Sequence, residues 1–264
     1  MASILDEIVA RKRVDIARCR EREPVEALRE AALQAPPPPP FASALRSARV
    51  GLIAEAKRRS PSAGAIREPF DPAAIVSAYE RAGAQACSVL MDEPYFGGGE
   101  SDFRAARAAC RLPLLYKEFV VDPWQVWHAR RIGASAVLLI AGVLDTAELA
   151  SFGGLCREAG LEALVEVHDA AQMAMAVEAG AACVGVNNRD LRTFTVSLET
   201  TLTLAERAPP GCTLVGESGI SSSEDVVRLR DGGVHAVLVG EHLLRQPDLA
   251  LAVRNLMEPA WASS

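Results

Sequence analysis

The chain reads as an α/β protein, a single (β/α)8 barrel with an N-terminal helical extension. Three observations predict this. From residue 50 onward, apolar strand-like runs alternate with amphipathic stretches eight times over about 210 residues, the length such a barrel needs. Half of the 264 residues are hydrophobic, enough for a large core, yet no apolar run approaches the roughly 18 residues of a membrane helix. Finally, Gly83-Ala84, Gly133-Ala134, Gly180-Ala181 and Gly232-Gly233 each end a helix just before an apolar strand, a weak internal repeat two β-α units long.

Residues 1–49 stand apart. Ser3 is placed to cap a helix that begins with Ile4, Leu5, Ile8 and Val9 and continues, charge-rich, to about Arg20. Pro24 can start a second helix over Val25–Gln34. The five prolines Pro36 to Pro40 cannot be helical and predict a stiff extended spacer, a proline-motif ligand being the other reading. This extension is expected to belong to the same domain as the barrel, 50–264, and to pack across its mouth as a partial lid, because its apolar helix face has no use within the barrel itself.

The eight strands are expected at Leu52–Lys57, Cys87–Asp92, Leu114–Phe119, Ala136–Ala141, Ala163–His168, Val184–Asn188, Thr213–Ser218 and Ala236–Gly240. Helices are expected near 71–83, 101–111, 122–132, 145–160, 169–180, 197–208, 221–232 and 247–257, several opening on Asp or Ser and closing on Gly. An open doubly wound sheet would carry GxGxxG after its first strand. That motif is absent, and Gly97-Gly98-Gly99 follows the second strand with the wrong spacing.

A net charge of −6 argues against nucleic acid or an anionic membrane as partner, so any bound anion needs a local cluster of cations. The six cysteines (19, 87, 110, 156, 183, 212) form no CxxC pair and no metal-like spacing with the four histidines. They fit buried thiols in a reducing cytoplasm. The opening Met1 to Glu7 lacks a basic region followed by an apolar one, so no secretory signal is expected.

Barrel chemistry lies at the carboxyl ends of the strands, and side chains alternate between the two faces of each strand. On one face the first strand places Ile53, Glu55 and Lys57; the third, Leu115, Lys117 and Phe119; the fifth, Leu164, Glu166 and His168. The sixth ends in Asn187-Asn188-Arg189 and the seventh in Glu217-Ser218-Gly219. Charges inside a barrel mouth are costly unless paired, so this many together predict a polar site. Within Lys57-Arg58-Arg59 only Lys57 has inward parity, and the rest reads as a solvated face. His168 shares the parity of Glu166 and is expected behind the site or at its rim rather than as a ligand. Lysines beside other cations or partly buried are expected to have lowered pKa values and to exchange protons near neutrality. The turns at Ser218-Gly219 and Gly240-Glu241 lead from strand to helix after the last two strands, the usual phosphate site of such barrels.

Together these residues resemble the indole-3-glycerol phosphate synthase family, in order from about Ile4 to Met257. The resemblance is carried by Ile53 to Ser62, Ser88-Val89-Leu90, Tyr95 to Gly98, Lys117-Glu118-Phe119, Leu138 to Ile140, Val165 to His168, Gly185 to Leu191, Glu217 to Ile220 and Leu238 to Glu241. It implies ring closure, decarboxylation and dehydration of 1-(2-carboxyphenylamino)-1-deoxyribulose 5-phosphate, without metal or organic cofactor. Lys117 matches the family's general acid and Glu166 the carboxylate acting with it; Glu55 and Lys57 match a catalytic pair. Asn187 and Ser218 complete the catalytic set. Arg189 and Glu217 match substrate contacts, and Ser60, Ser218, Gly219, Gly240 and Glu241 the phosphate and substrate segments. Pro61, Phe96, Phe119, Leu138 and Phe194 would line the apolar half for the aromatic ring.

Four positions depart from the family pattern. Met91 stands where Thr is usual, Glu118 where Asp follows the lysine, Gly216 for a common Ser, and His242 for a small residue. By parity Glu118 should point away from the pocket, whereas His242 bears on the phosphate site. Two other readings stay open: a phosphosugar isomerase barrel, which would use a Cys/Asp or Asp/Asp pair, and a catalytically silent phosphate-binding barrel. Turnover would separate them. The expected partner is a small phosphorylated substrate; a monomer is expected, with a homodimer open. No second enzyme is expected after the eighth helix.

Overall fold

The computed structural model describes residues 4–190, 193 and 195–262; Ser3 and Phe194 lie outside them. The N-terminal extension supplies α1 (Ile4–Arg22), α2 (Val25–Gln34) and α3 (Phe41–Leu45). Next come β1 (Gly51–Ala56), the short strands β2 (Arg59–Ser60) and β3 (Gly64–Ala65), α4 (Pro72–Arg81), β4 (Ala86–Leu90), α5 (Glu93–Phe96) and α6 (Glu100–Ala109). The middle of the chain forms β5 (Leu114–Lys117), α7 (Pro123–Arg131), β6 (Ala136–Ile140), α8 (Thr146–Glu158), β7 (Glu162–Val167) and α9 (Ala170–Glu178). It ends with β8 (Cys183–Asn187), α10 (Glu199–Ala205), β9 (Thr213–Glu217), α11 (Ser223–Asp231), β10 (Ala236–Val239), α12 (Glu241–Leu244) and α13 (Leu249–Trp261).

Eight parallel strands close into a barrel in the order β1-β10-β9-β8-β7-β6-β5-β4, while β2 and β3 pair as a separate hairpin. Period two divides the core. Outward residues such as Leu52, Val89, Tyr116, Leu139, Val167 and Val184 pack against the helices, and inward ones such as Ile53, Leu115, Leu138 and Val215 fill the barrel. Asp71, Asp122, Asp145, Asp169, Ser222 and Asp248 each accept a backbone N–H at a helix start, which fixes where the helices leave the loops.

The N-terminal extension divides its work, and this corrects the expectation that all of it lies over the mouth. Only the first turns of α1 reach the mouth. α2 packs along α7, and Ala35 to Pro40 runs extended beneath Arg130, which donates to the carbonyls of Ala35 and Pro36. α3 closes the opposite, amino end of the barrel. Phe41 and Leu45, fully buried, join the inward cluster of Ile53, Ala86, Leu164 and Ala236. The Glu162 carboxylate accepts the N–H groups of Phe41 and Ala42, and Arg46 donates to Thr213 Oγ1 and to the carbonyls of Gly211 and Cys212. The barrel is therefore not complete from residue 50: its floor is α3.

Candidate active site

The carboxyl ends of the strands surround a cavity of about 520 Å³. Glu55, Lys57, Lys117, Glu166, Asn187, Glu217 and Ser218 all line it. So do Ser60, Pro61, Phe96, Phe119, Leu138, Arg189, Gly219, Gly240 and Glu241. Phe194 falls outside the described residues. Phe119 and Lys57 lie past their strands and reach the cavity from the loops.

Inward parity brings Glu55, Lys117, Glu166, Asn187 and Glu217 together at the ends of five strands. Lys117 Nζ lies 2.8 Å from Glu217 Oε2 and 3.5 Å from Glu166 Oε2. Lys57 Nζ pairs with Glu55 Oε1 at 2.6 Å. Asn187 Nδ2 donates to Glu166 Oε1 at 3.1 Å, and its own Oδ1 accepts the Arg189 N–H at 3.0 Å. Two glycines make room for these carboxylates. A Cβ at Gly185 would collide with Glu217 Oε1, and one at Gly240 with Glu55 Oε1. Neither consequence is visible from the sequence, because it needs the register between neighbouring strands.

The electrostatics reverse the lowered-lysine expectation. Burial alone would lower the Lys117 pKa, but Glu217, Glu166 and Glu55 outweigh it and hold the ammonium protonated above the usual lysine range. Lys117 is thus a cation at rest, its proton held tightly by the three carboxylates. Burial also opposes charge on Glu55 and Glu166, yet both stay below their ordinary values. Lys57 and Lys117 lower Glu55, while Lys117, His168 and the Asn187 hydrogen bond lower Glu166. Glu217 goes the other way: burial, with Glu166 and Glu55 adding to it against Lys117, pushes it up to about 7. Its Oε1 is buried with no hydrogen-bond partner among the described residues.

His168 stands behind the site, as expected: its Nε2 is 3.3 Å from Glu166 Oε1, and Nδ1 is 3.2 Å from Gln172 Oε1. Arg58 and Arg59 do face solvent, Arg59 exposed and Arg58 partly so, but both are also tied to the fold. Arg58 donates to Gly97 O and Arg59 to Glu93 O and Pro94 O, tying the loop after β1 to α5. Met91 and Gly216 face the helices, Met91 within the outer cluster and Gly216 beneath Leu229 and Thr201, so neither alters the cavity. Glu118 does not simply turn away from the pocket. It contributes to the cavity wall, is buried, and its Oε2 accepts from Lys12 Nζ at 2.9 Å. Burial pushes it up to about 7 even against Lys12.

On the far side, Ser218 and Gly219 both take left-handed backbone, φ 65 and 77, where β9 turns toward α11. Gly240 precedes α12; His242 within that helix and Arg245 just past its end also border the cavity. Arg245, held by Glu241, is a cation the sequence reading missed; its spacing of four from Glu241 is the available signal. Ile4, Leu5 and Ile8 of α1 complete the apolar rim.

Fold and site together define a barrel enzyme that does acid–base chemistry at the carboxyl ends of its strands. A family profile described as indole-3-glycerol phosphate synthase matches residues 5–256. The chain is 46% identical to the indole-3-glycerol phosphate synthase of Rhizorhabdus wittichii, over 98% of this chain and 100% of that one. It is 45% identical to that of Aromatoleum aromaticum, over 97% and 99%. A mutant tryptophan synthase alpha-subunit from Pyrococcus furiosus superposes with a TM-score of 0.60, covering 79% of this chain and 98% of that one, at 15% identity; that likeness shows the shared barrel fold. This chain belongs to the indole-3-glycerol phosphate synthase family.

Proposed function

We propose that this enzyme converts 1-(2-carboxyphenylamino)-1-deoxyribulose 5-phosphate to indole-3-glycerol phosphate, with loss of CO2 and water. The observation that carries it is Lys117, an ammonium held between Glu217 and Glu166 in a largely buried mouth. When the aromatic carbon attacks the ketone, negative charge develops on its oxygen, and a preorganised ammonium there stabilises it and supplies the proton. Departure of CO2 restores the ring. The hydroxyl then leaves as water, needing one proton given and one taken. Glu166, charged at rest, acts with Lys117 in this transfer, and the Glu55–Lys57 pair faces the same space. Asn187 orients Glu166, while Arg189 and Glu217 contact the substrate.

Phe96, Phe119, Pro61 and Leu138 supply the wall for the aromatic ring, and Phe194 joins the same set in this reading. The phosphate lies against the Ser218-Gly219 and Gly240-Glu241 turns, with Ser60 on the segment after the neighbouring strand β1. Buried free thiols at Cys87, Cys110, Cys156, Cys183 and Cys212 suit a reducing cytoplasm. We take the enzyme to act as a monomer, in which residues 1–49 and the barrel form one domain. Incubation with the carboxyphenylamino compound, followed by the appearance of indole fluorescence, tests this. A silent phosphate-binding barrel would give no signal.

A further inference from the structure

We propose that Lys12 is a positioning residue for the reaction: its ammonium draws α1 and both aromatic-bearing loops together over the cavity. This rests on the functional reading above. Ile8, Lys12 and Ile16 form the buried stripe of α1, four residues apart, and Ile4, Leu5 and Ile8 on that side reach the cavity. In a helix otherwise mostly exposed, a lysine on such a stripe must be paired to be tolerated. It is. Lys12 Nζ lies 2.9 Å from both Asp92 Oδ2 and Glu118 Oε2, and all three residues are buried.

Each carboxylate uses its other oxygen to hold a loop. Asp92 Oδ1 accepts the Tyr95 N–H at 2.9 Å and so starts α5, the turn that ends in Phe96. Glu118 Oε1 accepts the Phe119 N–H at 2.8 Å. The Phe96 and Phe119 rings stand 6.1 Å apart and both line the cavity. One cation thus sets the spacing of the two rings and lays the apolar start of α1 beside them. Two further polar ties of α1 to the barrel, Glu7 to Tyr95 and Arg20 to Asp122, are exposed and correspondingly weak. Lys117 does not depend on this contact, since Glu217 and Glu166 hold it from across the mouth.

The test compares wild type, Lys12→Met, Glu118→Gln and the double variant. It reads steady-state turnover of the carboxyphenylamino compound and hydrogen–deuterium exchange of α1. Losing the apolar cover of one Ile or Leu over the cavity means that Lys12→Met should raise KM at least about tenfold. The kcat should change less than about threefold, because the proton donor is untouched. Amides of α1 should exchange faster while the barrel strands keep their protection. Glu118→Gln should raise KM less, because Asp92 still holds Lys12, and the double variant should be no worse than Lys12→Met alone. A folded Lys12→Met with wild-type KM, or with unchanged α1 exchange, overturns the proposal, as do effects on KM that simply multiply. If Lys12→Met does not fold, Glu118→Gln decides: unchanged KM and unchanged exchange overturn it. Failure of the wild type to turn over the compound sinks the functional reading instead, and the exchange measurement still judges the Lys12 contact.

Discussion

Replacing Lys117 with Met keeps an unbranched apolar side chain only one atom shorter and removes the charge, which largely separates its chemistry from its packing. A positioned acid contributes at least about a hundredfold, so kcat should fall by that factor or more, roughly 2.7 kcal/mol of barrel-mouth stabilisation lost at the transition state. The structure also sets the cost to the resting enzyme. Glu217 and Glu166 lose the ammonium at 2.8 and 3.5 Å, and breaking one side of a buried pair typically costs about 3–5 kcal/mol. Glu217 softens that cost, because a group already pushed up to about 7 takes a proton once its cation is gone. Lys117→Met should therefore remain folded at pH 6 to 7 and still bind the substrate's phosphate end. Indole fluorescence gives kcat, circular dichroism checks the fold, and displacement of a bound product analogue checks binding. Near-normal turnover in the folded variant would remove the assigned acid and the mechanism with it.

Glu166→Gln should also slow turnover, and combining it with Lys117→Met should lose less than the product of the two factors, since the pair acts as a unit. His168→Asn should cost much less, because the imidazole touches Glu166 from behind and does not line the cavity; a loss as large as that of Glu166→Gln would contradict this. Gly219→Val places a side chain at φ 77 and into Val196, so KM for the phosphorylated substrate should rise; an unchanged KM would move the phosphate elsewhere. Removal of residues 1–22 should raise KM with the barrel still folded, whereas removal of 1–49 should also lower the melting temperature sharply by uncovering the floor. Finally, Glu118 binds its proton more tightly folded than unfolded, so this group favours the native state at low pH and that contribution is lost as pH rises from about 4.5 through about 7. The stability of wild type relative to Glu118→Gln should accordingly decline between pH 5 and pH 8; His128 and His235, whose pKa values are lowered, act in the opposite direction but cancel in the comparison.

The barrel was legible because its strands are short apolar runs with period two, and each of the eight barrel strands lies within two residues of its expected span; the β2–β3 hairpin was not foreseen. The same period placed Glu55, Lys117 and Glu166 inward. What escaped the sequence depends on distant partners. Lys12 reads as one more charge on a charged helix; its burial is decided by Glu118, 106 positions away. The sign of the Lys117 shift likewise depends on carboxylates from three other strands. α3 is five residues long, too short for a helical period to show, and nothing local marks Phe41 and Leu45 as lining the barrel interior. The ties of the arginines after β1 escaped for a similar reason: their acceptors are backbone carbonyls of the segment after β4, which no side-chain pattern reveals.

The floor built by α3 also sets an order of events for a chain emerging from the ribosome. Phe41 and Ala42 are made early, but the Glu162 carboxylate that receives their amides follows about 120 residues later, and the Thr213 hydroxyl bound by Arg46 follows it by a further strand pair. At typical synthesis rates of about 5–20 residues per second, that leaves these apolar side chains unhoused for seconds. Pro36 to Pro40 keep the stretch just before α3 extended, so that no helix runs on from α2 into it. Closure of β1 against β10 is then the step at which the earliest and latest parts of the chain first meet, and the base of the barrel can seal only once both are present.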